Sequence, residues 1–119
     1  MAKSMLIISR QAPWAGMSAR EALDAALAGG AFDLPIALLF MEDGVFQLTS
    51  SQQPSRLEQK DTSANLQALS LFGIEHLYAS KVSLIERGME THALHLPVKV
   101  LTSEEIRSLL RTYDLVVTL

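Results

Sequence analysis

The residues with chemical potential in this chain stand at the ends of its apolar runs. Leu38 to Leu48 reads LLFMEDGVFQL: a buried-strand pattern stops at Glu42-Asp43-Gly44, and hydrophobicity returns at once with Val45, Phe46 and Leu48. Adjacent carboxylates at a strand end act as general acid and base only with a partner group and a pocket that moves a pKa. The flanking sequence offers neither. Glu42 and Asp43 are therefore expected to cap the next segment and satisfy local N–H groups, with Val45, Phe46 and Leu48 serving as core or interface residues.

Other candidates thin out in the same way. His92 and His95, in ETHALHLP, suggest a metal pair with His76 or Glu90. Three-residue spacing without cysteine or a second ligand cluster instead indicates ordinary solvated or hydrogen-bonded histidines. Ser80 follows an apolar run, but G-x-S-x-G is absent and no base is placed beside it. The segment after Ser9 offers Arg10, Gln11, Trp14 and Ser18. A phosphate beside Arg10 at a helix N-terminus is one reading, and a capped loop with Trp14 covering apolar surface is the other. No glycine-rich cradle or Walker sequence is present, and no acidic pair follows the first strand as a phospho-receiver would need. No metal and no cofactor is expected.

Cysteine is absent, which excludes disulfides, thiolate zinc sites and thiol nucleophiles. A net charge of −3 with scattered Lys and Arg lacks the basic stripe that neutralises phosphates, so direct nucleic-acid contact is not expected. Met5 to Ile8 is too short for a signal-peptide core and no run reaches membrane length, making the cytoplasm the expected compartment. The hydrophobic share, 49%, slightly exceeds what so small a domain buries, and the excess points to a partner.

The elements that must position these residues follow from periodicity. Ser4–Ser9, Pro35–Met41, Ile74–Ala79, Val98–Leu101 and Leu115–Leu119 read as five strands. Ser18 and Glu21 fit a capping box for a helix burying Ala22, Leu23, Ala26 and Leu27 and stopping at Gly29-Gly30. Residues 49–61 form a long polar connection, and a helix from about Asp61 should bury Leu66, Leu69 and Phe72 before Gly73. Val82–Arg87 reads as a short helix closed by Gly88, with Arg87 as a cation near its negative end. Thr102 and Glu105 form a second capping box, followed by Ile106, Leu109, Leu110 and Tyr113 on one face. Strands alternating with helices predict an α/β fold: a single-domain, flavodoxin-like three-layer sandwich around a mostly parallel five-stranded sheet. Near-continuous apolar strands predict burial of both sheet faces.

These segments also carry a resemblance. The Ala12-Pro13 loop, the Arg20-Glu21-x-Leu23-Asp24-x-Ala26-Leu27 helix, FMEDGVFQL from Phe40 to Leu48, Ser83-Leu84, Glu86-Arg87-Gly88 and Tyr113-Asp114-Leu115-Val116 together resemble the TusC/DsrF family of the DsrE-like superfamily, along essentially the whole chain. The resemblance implies one DsrE/DsrF-like domain over residues 1–119. It implies a non-catalytic subunit of a TusBCD-type cytoplasmic heterohexamer, with two copies each of TusB-like, TusC-like and TusD-like chains. Such a complex takes persulfide sulfur from a TusA-like donor and passes it through a TusE-like acceptor toward 2-thiolation of the tRNA wobble uridine. The relay thiol belongs to the TusD-like chain, at a position near Ser80 in this sequence. Serine carries no persulfide, so this chain should not transfer sulfur itself. Glu42, Asp43, Val45, Phe46 and Leu48 are the expected interface. A DsrF-like role in a sulfur-oxidising DsrEFH complex and a small-ligand-binding flavodoxin-like module using Arg10, Trp14 and Ser18 stand as alternatives.

Overall fold

A computed structural model describes residues 4–12, 14–31, 35–48, 69, 71, 73–89 and 98–119. Strands β1 (Met5–Ser9), β2 (Ile36–Phe40), β3 (His76–Ser80), β4 (Lys99–Leu101) and β5 (Leu115–Thr118) form one sheet in the order β4-β3-β2-β1-β5. Every neighbouring pair is parallel. Helices α1 (Ser18–Ala31), α2 (Lys81–Glu86) and α3 (Ser103–Thr112) accompany it, together with a 3-10 helix over Glu42–Leu48.

Chain order explains the layers. From β1 to β4 each strand is laid beside its predecessor in one direction, and the last connection jumps back across the sheet to β5. Right-handed crossovers place the earlier connections on one face and the reversed one on the other. Side-chain packing agrees. Ile7, Leu38, Phe40, Leu77 and Ala79 meet Ala22, Leu23 and Ala26 of α1, Val45 and Leu48 of the 3-10 helix, and Leu84 of α2. Leu6, Ile8, Ala37 and Leu39 project the opposite way, onto Ile106, Leu109 and Leu110 of α3. This order differs from the 2-1-3-4-5 order of flavodoxin itself, so no reversal falls between β1 and β3 to open a ligand crevice there.

Local signals fared unevenly. Thr102 caps α3: its Oγ1 accepts from the Glu105 N–H at 3.3 Å, and its own N–H donates to Glu105 Oε1 at 2.9 Å. The Ser18 box does not form. Ser18 is already helical, and the Glu21 N–H donates to the Met17 carbonyl at 2.8 Å. Helix α1 also continues through Gly29-Gly30 to Ala31, with Gly30 buried, because close packing on the sheet outweighs the weak helix propensity of glycine. Gly73 and Gly88 do hold left-handed backbone, at φ 78° and 64°. Residue Leu69 reaches the core as expected, while the 49–61 connection, the helix from Asp61, His92 and His95 lie outside the described residues.

Burial corrects one expectation. All five residues of β2 are buried, but all four of β5 are exposed, although its sequence is as apolar as that of the inner strands. β5 is an edge strand with a neighbour on one side only among the described strands, and the described helices leave both of its faces exposed.

Two measurable consequences concern α3. Hydrogen bonds from the Thr102 backbone and then its hydroxyl hold the Glu105 carboxyl below its ordinary pKa. The folded state therefore gains from ionised Glu105 above the ordinary carboxylate range, and loses that gain as pH falls through the lowered value. Thr102→Ala should cost about 1 kcal/mol in denaturant unfolding at neutral pH. At the other extreme, burial and then the neighbouring Tyr78 push the Tyr113 phenol up to about 12. The folded chain binds the extra proton, so its stability should decline from about pH 10 upward through the folded value. Tyr113→Phe should flatten that alkaline decline in thermal melts.

Candidate functional site

At the carboxyl end of the sheet the chain leaves β2 and folds back over the end of β1. Glu42 takes left-handed backbone, φ 51°, an uncommon conformation for a residue with a side chain. The turn is closed by the Gly44 N–H donating to the Met41 carbonyl at 2.8 Å. Gly44 then rests on β1. A Cβ at this position would overlap the Ser9 carbonyl oxygen and stand 2.8 Å from its carbon, so any side chain would push the 3-10 helix off the sheet. The requirement here is close approach between backbones; the φ of Gly44 plays no part.

Seated in this way, the 3-10 helix inserts Val45 and Leu48 into the core, each 0% exposed. Gln47 is buried as well. Its Nε2 donates to Ser9 Oγ at 2.7 Å and to the Gln11 carbonyl at 3.0 Å, tying the helix to β1 and to the segment beyond it. On the opposite flank, the Glu42 N–H donates to Ser83 Oγ at 2.8 Å. The Ser83 N–H donates in turn to Ser80 Oγ at 3.2 Å, which makes Ser80 the N-cap of α2. Arg87 completes the ring. Its Nε and Nη2 each lie 3.0 Å from Asp43 Oδ1, and its Nη1 donates to the Ser83 carbonyl at 3.2 Å.

This arrangement ties β1, the 3-10 helix and α2 together. Ser9, Ser80 and Ser83 are buried with their hydroxyls accepting hydrogen bonds, and no buried side-chain N or O among the described residues lacks a partner. No base faces Ser80 among the contacts described. Groups of His, Asp and Glu able to hold a metal are absent among the described residues.

The surface of the site is apolar and acidic. Trp14, 53% exposed, packs on Phe46 with ring centroids 5.3 Å apart and planes tilted by 44°. Arg10 reaches Glu42 at 3.8 Å, and both side chains are about half exposed. Of the proposed ligand trio, Arg10 faces Glu42, Trp14 covers Phe46 and Ser18 opens α1.

Among the five expected interface residues, Val45 and Leu48 must be corrected: both are enclosed by this chain's own core and present no surface to a partner. Glu42 and Asp43 are exposed and Phe46 partly so. The carboxylates also differ from their expected role, because Asp43 binds the Arg87 guanidinium and Glu42 contributes its backbone N–H to Ser83. Sequence reasoning passed over Gln47 and Ser83 as site residues. A lone amide between Phe46 and Leu48 was the available signal, since an uncharged polar residue inside an apolar run has to find a buried partner.

Replacing Gly44 by Ala should destabilise the protein by about 2 kcal/mol or more in chemical unfolding, as expected when a methyl group is forced against backbone. Glu42→Gly should leave stability within about 1 kcal/mol of the parent, because relief of left-handed strain offsets the added chain entropy. A large loss in that variant would show that the Glu42 side chain matters more than its backbone.

Comparison with known proteins adds a second line of observation. The DsrE/DsrF-like family matches residues 3–119. A TusC homolog of Pseudomonas aeruginosa is 59% identical over 119 residues, covering 100% of both chains. A TusC homolog of Vibrio vulnificus is 35% identical over 101 residues, 85% of this chain and 86% of its own. The crystal structure of the E. coli ychN protein superposes with a TM-score of 0.84 at 25% identity, covering 100% of each chain. A Methanobacterium thermoautotrophicum protein of unknown function, MTH1491, shares the fold at a TM-score of 0.68 and 17% identity, again over 100% of each chain.

Proposed function

This chain belongs to the TusC/DsrF family of DsrE/DsrF-like proteins, and from that premise we propose that it is a non-catalytic, organising subunit of a sulfur-relay complex. The observation that carries the reading is the absence of cysteine in a chain 59% identical, end to end, to a TusC homolog. Persulfide relay proceeds by thiolate attack on sulfur, with the accepted sulfur held on a thiol. A serine hydroxyl is not ionised near neutral pH and forms no such intermediate. Ser80, near the position that the resemblance assigns to a neighbour's relay thiol, is also buried and engaged as a helix cap. The chemistry then belongs to a companion subunit, and this chain shapes the assembly around it.

The proposed assembly is of the TusBCD type: this chain, as one DsrE/DsrF-like domain over residues 1–119, joins TusB-like and TusD-like subunits in the cytoplasm, two copies of each. Sulfur enters from a TusA-like donor and leaves through a TusE-like acceptor for 2-thiolation of the tRNA wobble uridine. Glu42, Asp43 and the Trp14–Phe46 pair form the proposed contact surface at the carboxyl end of the sheet. The aromatic pair supplies the kind of area that interface cores favour, and the carboxylates suit a solvated rim around it.

The deciding experiment is native purification of the tagged chain with identification of what accompanies it. Two companions of similar size, one bearing a thiol that becomes persulfidated, are expected; a chain recovered alone would overturn the reading. Phe46→Ala should weaken capture of those companions at least tenfold while leaving circular dichroism unchanged. Leu48→Asp is unsuitable for this purpose, since it would place a charge in the core. Ser80→Cys should not restore relay in a complex whose own relay thiol has been removed, and its buried thiol should resist alkylation until the chain unfolds.

A further inference from the structure

Among the described residues, the edge strand β5 has a neighbour on one side only, and it carries apolar side chains on both faces. Leu115, Val116 and Val117 are 44%, 42% and 38% exposed. On the β1 side the ladder is complete: the Leu115 N–H donates to the Ser4 carbonyl at 3.0 Å, the Leu119 N–H to the Ile8 carbonyl at 2.9 Å, and the Arg10 N–H to the Leu119 carbonyl at 3.3 Å. In a parallel ladder, alternate residues direct both backbone groups to the same neighbour. Leu115, Val117 and Leu119 therefore serve β1, and Val116 and Thr118 direct their N–H and C=O groups to the open edge. Asp114 secures the entry to the strand, accepting at Oδ2 from the Ser4 N–H at 2.8 Å, while its own N–H donates to Ser4 Oγ at 3.0 Å.

Natural sheets blunt an open edge with charge, proline or a bulge. Leu115-Val116-Val117-Thr118 carries no charge and no proline, and it pairs with β1 in unbroken register. An added extended strand would continue the ladder at such an edge. That strand must also be uncharged and apolar on both faces, because Leu115 and Val117 lie on the α1 side and Val116 on the α3 side.

We infer that β5 is an interface between two copies of this chain, which pair edge to edge across a two-fold axis perpendicular to the sheet. β5 meets its own specification. The other edge does not, since β4 has three residues and begins with exposed Lys99. Such an axis makes the two strands antiparallel and keeps each face on its own side. Directly opposed residues must then have the same parity, so the pairing centres on Val116 or on Val117. Either register sets Val against Val at the axis and an apolar residue opposite Leu115. No charge within β5 opposes a like charge. The two sheets become one, continuous through both copies.

This inference does not depend on the sulfur-relay reading. It is tested on the purified full chain by light scattering and amide hydrogen exchange, at concentrations up to about 100 μM, where even a small interface associates measurably. The expected result is a mass rising toward twice the 13.0 kDa of the chain, with exchange at Val116 and Thr118 slowing as concentration rises. Val116→Pro removes an edge-facing N–H and spares the bonds to β1. Thr118→Lys places a charge on the edge. Each variant, shown by circular dichroism to be folded, should remain at the mass of one chain. A wild-type monomer throughout that range, or a dimer that persists in both folded variants, would overturn the inference. So would edge protection that arises only when a different subunit is added. Capture of TusB-like and TusD-like companions by a chain that fails to self-associate would overturn this inference alone and leave the proposed function standing.

Discussion

The seat of Gly44 on the Ser9 carbonyl is the contact from which the carboxyl end of this molecule is organised. Because no side chain intervenes, the 3-10 helix lies directly over the end of β1, and its residues are aimed by that position. Val45 and Leu48 point into the core, Gln47 crosses to Ser9 and Gln11, and the Glu42 N–H meets Ser83. Left-handed backbone at Glu42 is the local cost of turning the chain so sharply after β2. The surrounding contacts hold that turn from both sides: Ser9 and Gln11 through Gln47, and α2 through Ser83 and Arg87.

A second consequence is chemical. The serines at the ends of β1 and β3 occupy the places where open α/β sheets present reactive groups, yet each is buried and hydrogen-bonded into the scaffold. Burial of a polar group is tolerated when its partner is close and well placed, and both hydroxyls meet that condition. A site built in this way holds elements in register. The Trp14–Phe46 pair and the carboxylates of Glu42 and Asp43 form the outer surface of that site.

Sheet asymmetry supplies the rest. Three successive connections run in one direction and cover one face with α1, the 3-10 helix and α2, while the single return to β5 leaves α3 on the other. Among the described residues, β5 has no neighbour on its outer side. The apolar residues Leu115, Val116 and Val117 of this strand therefore stand in contact with solvent. No described helix is long and apolar enough to cross a membrane.

Much of this architecture was legible in the sequence, because strands and capped helices are local. The period of apolar residues placed β1 to β5 within a residue or two, Thr102 and Glu105 announced α3, and Gly88 marked the end of α2. Missing cysteine settled the question of thiol chemistry without any structure. Tertiary structure alone decided what depends on contacts distant in sequence. It placed Val45 and Leu48 inside the core, set Gly44 against Ser9, paired Asp43 with Arg87, ran α1 through two glycines and left β5 exposed. Residue type and spacing fix the local bonding pattern of a segment, whereas burial and partnership depend on which strand lies at the edge and which backbone it rests upon, and strand order is set only when the whole sheet assembles.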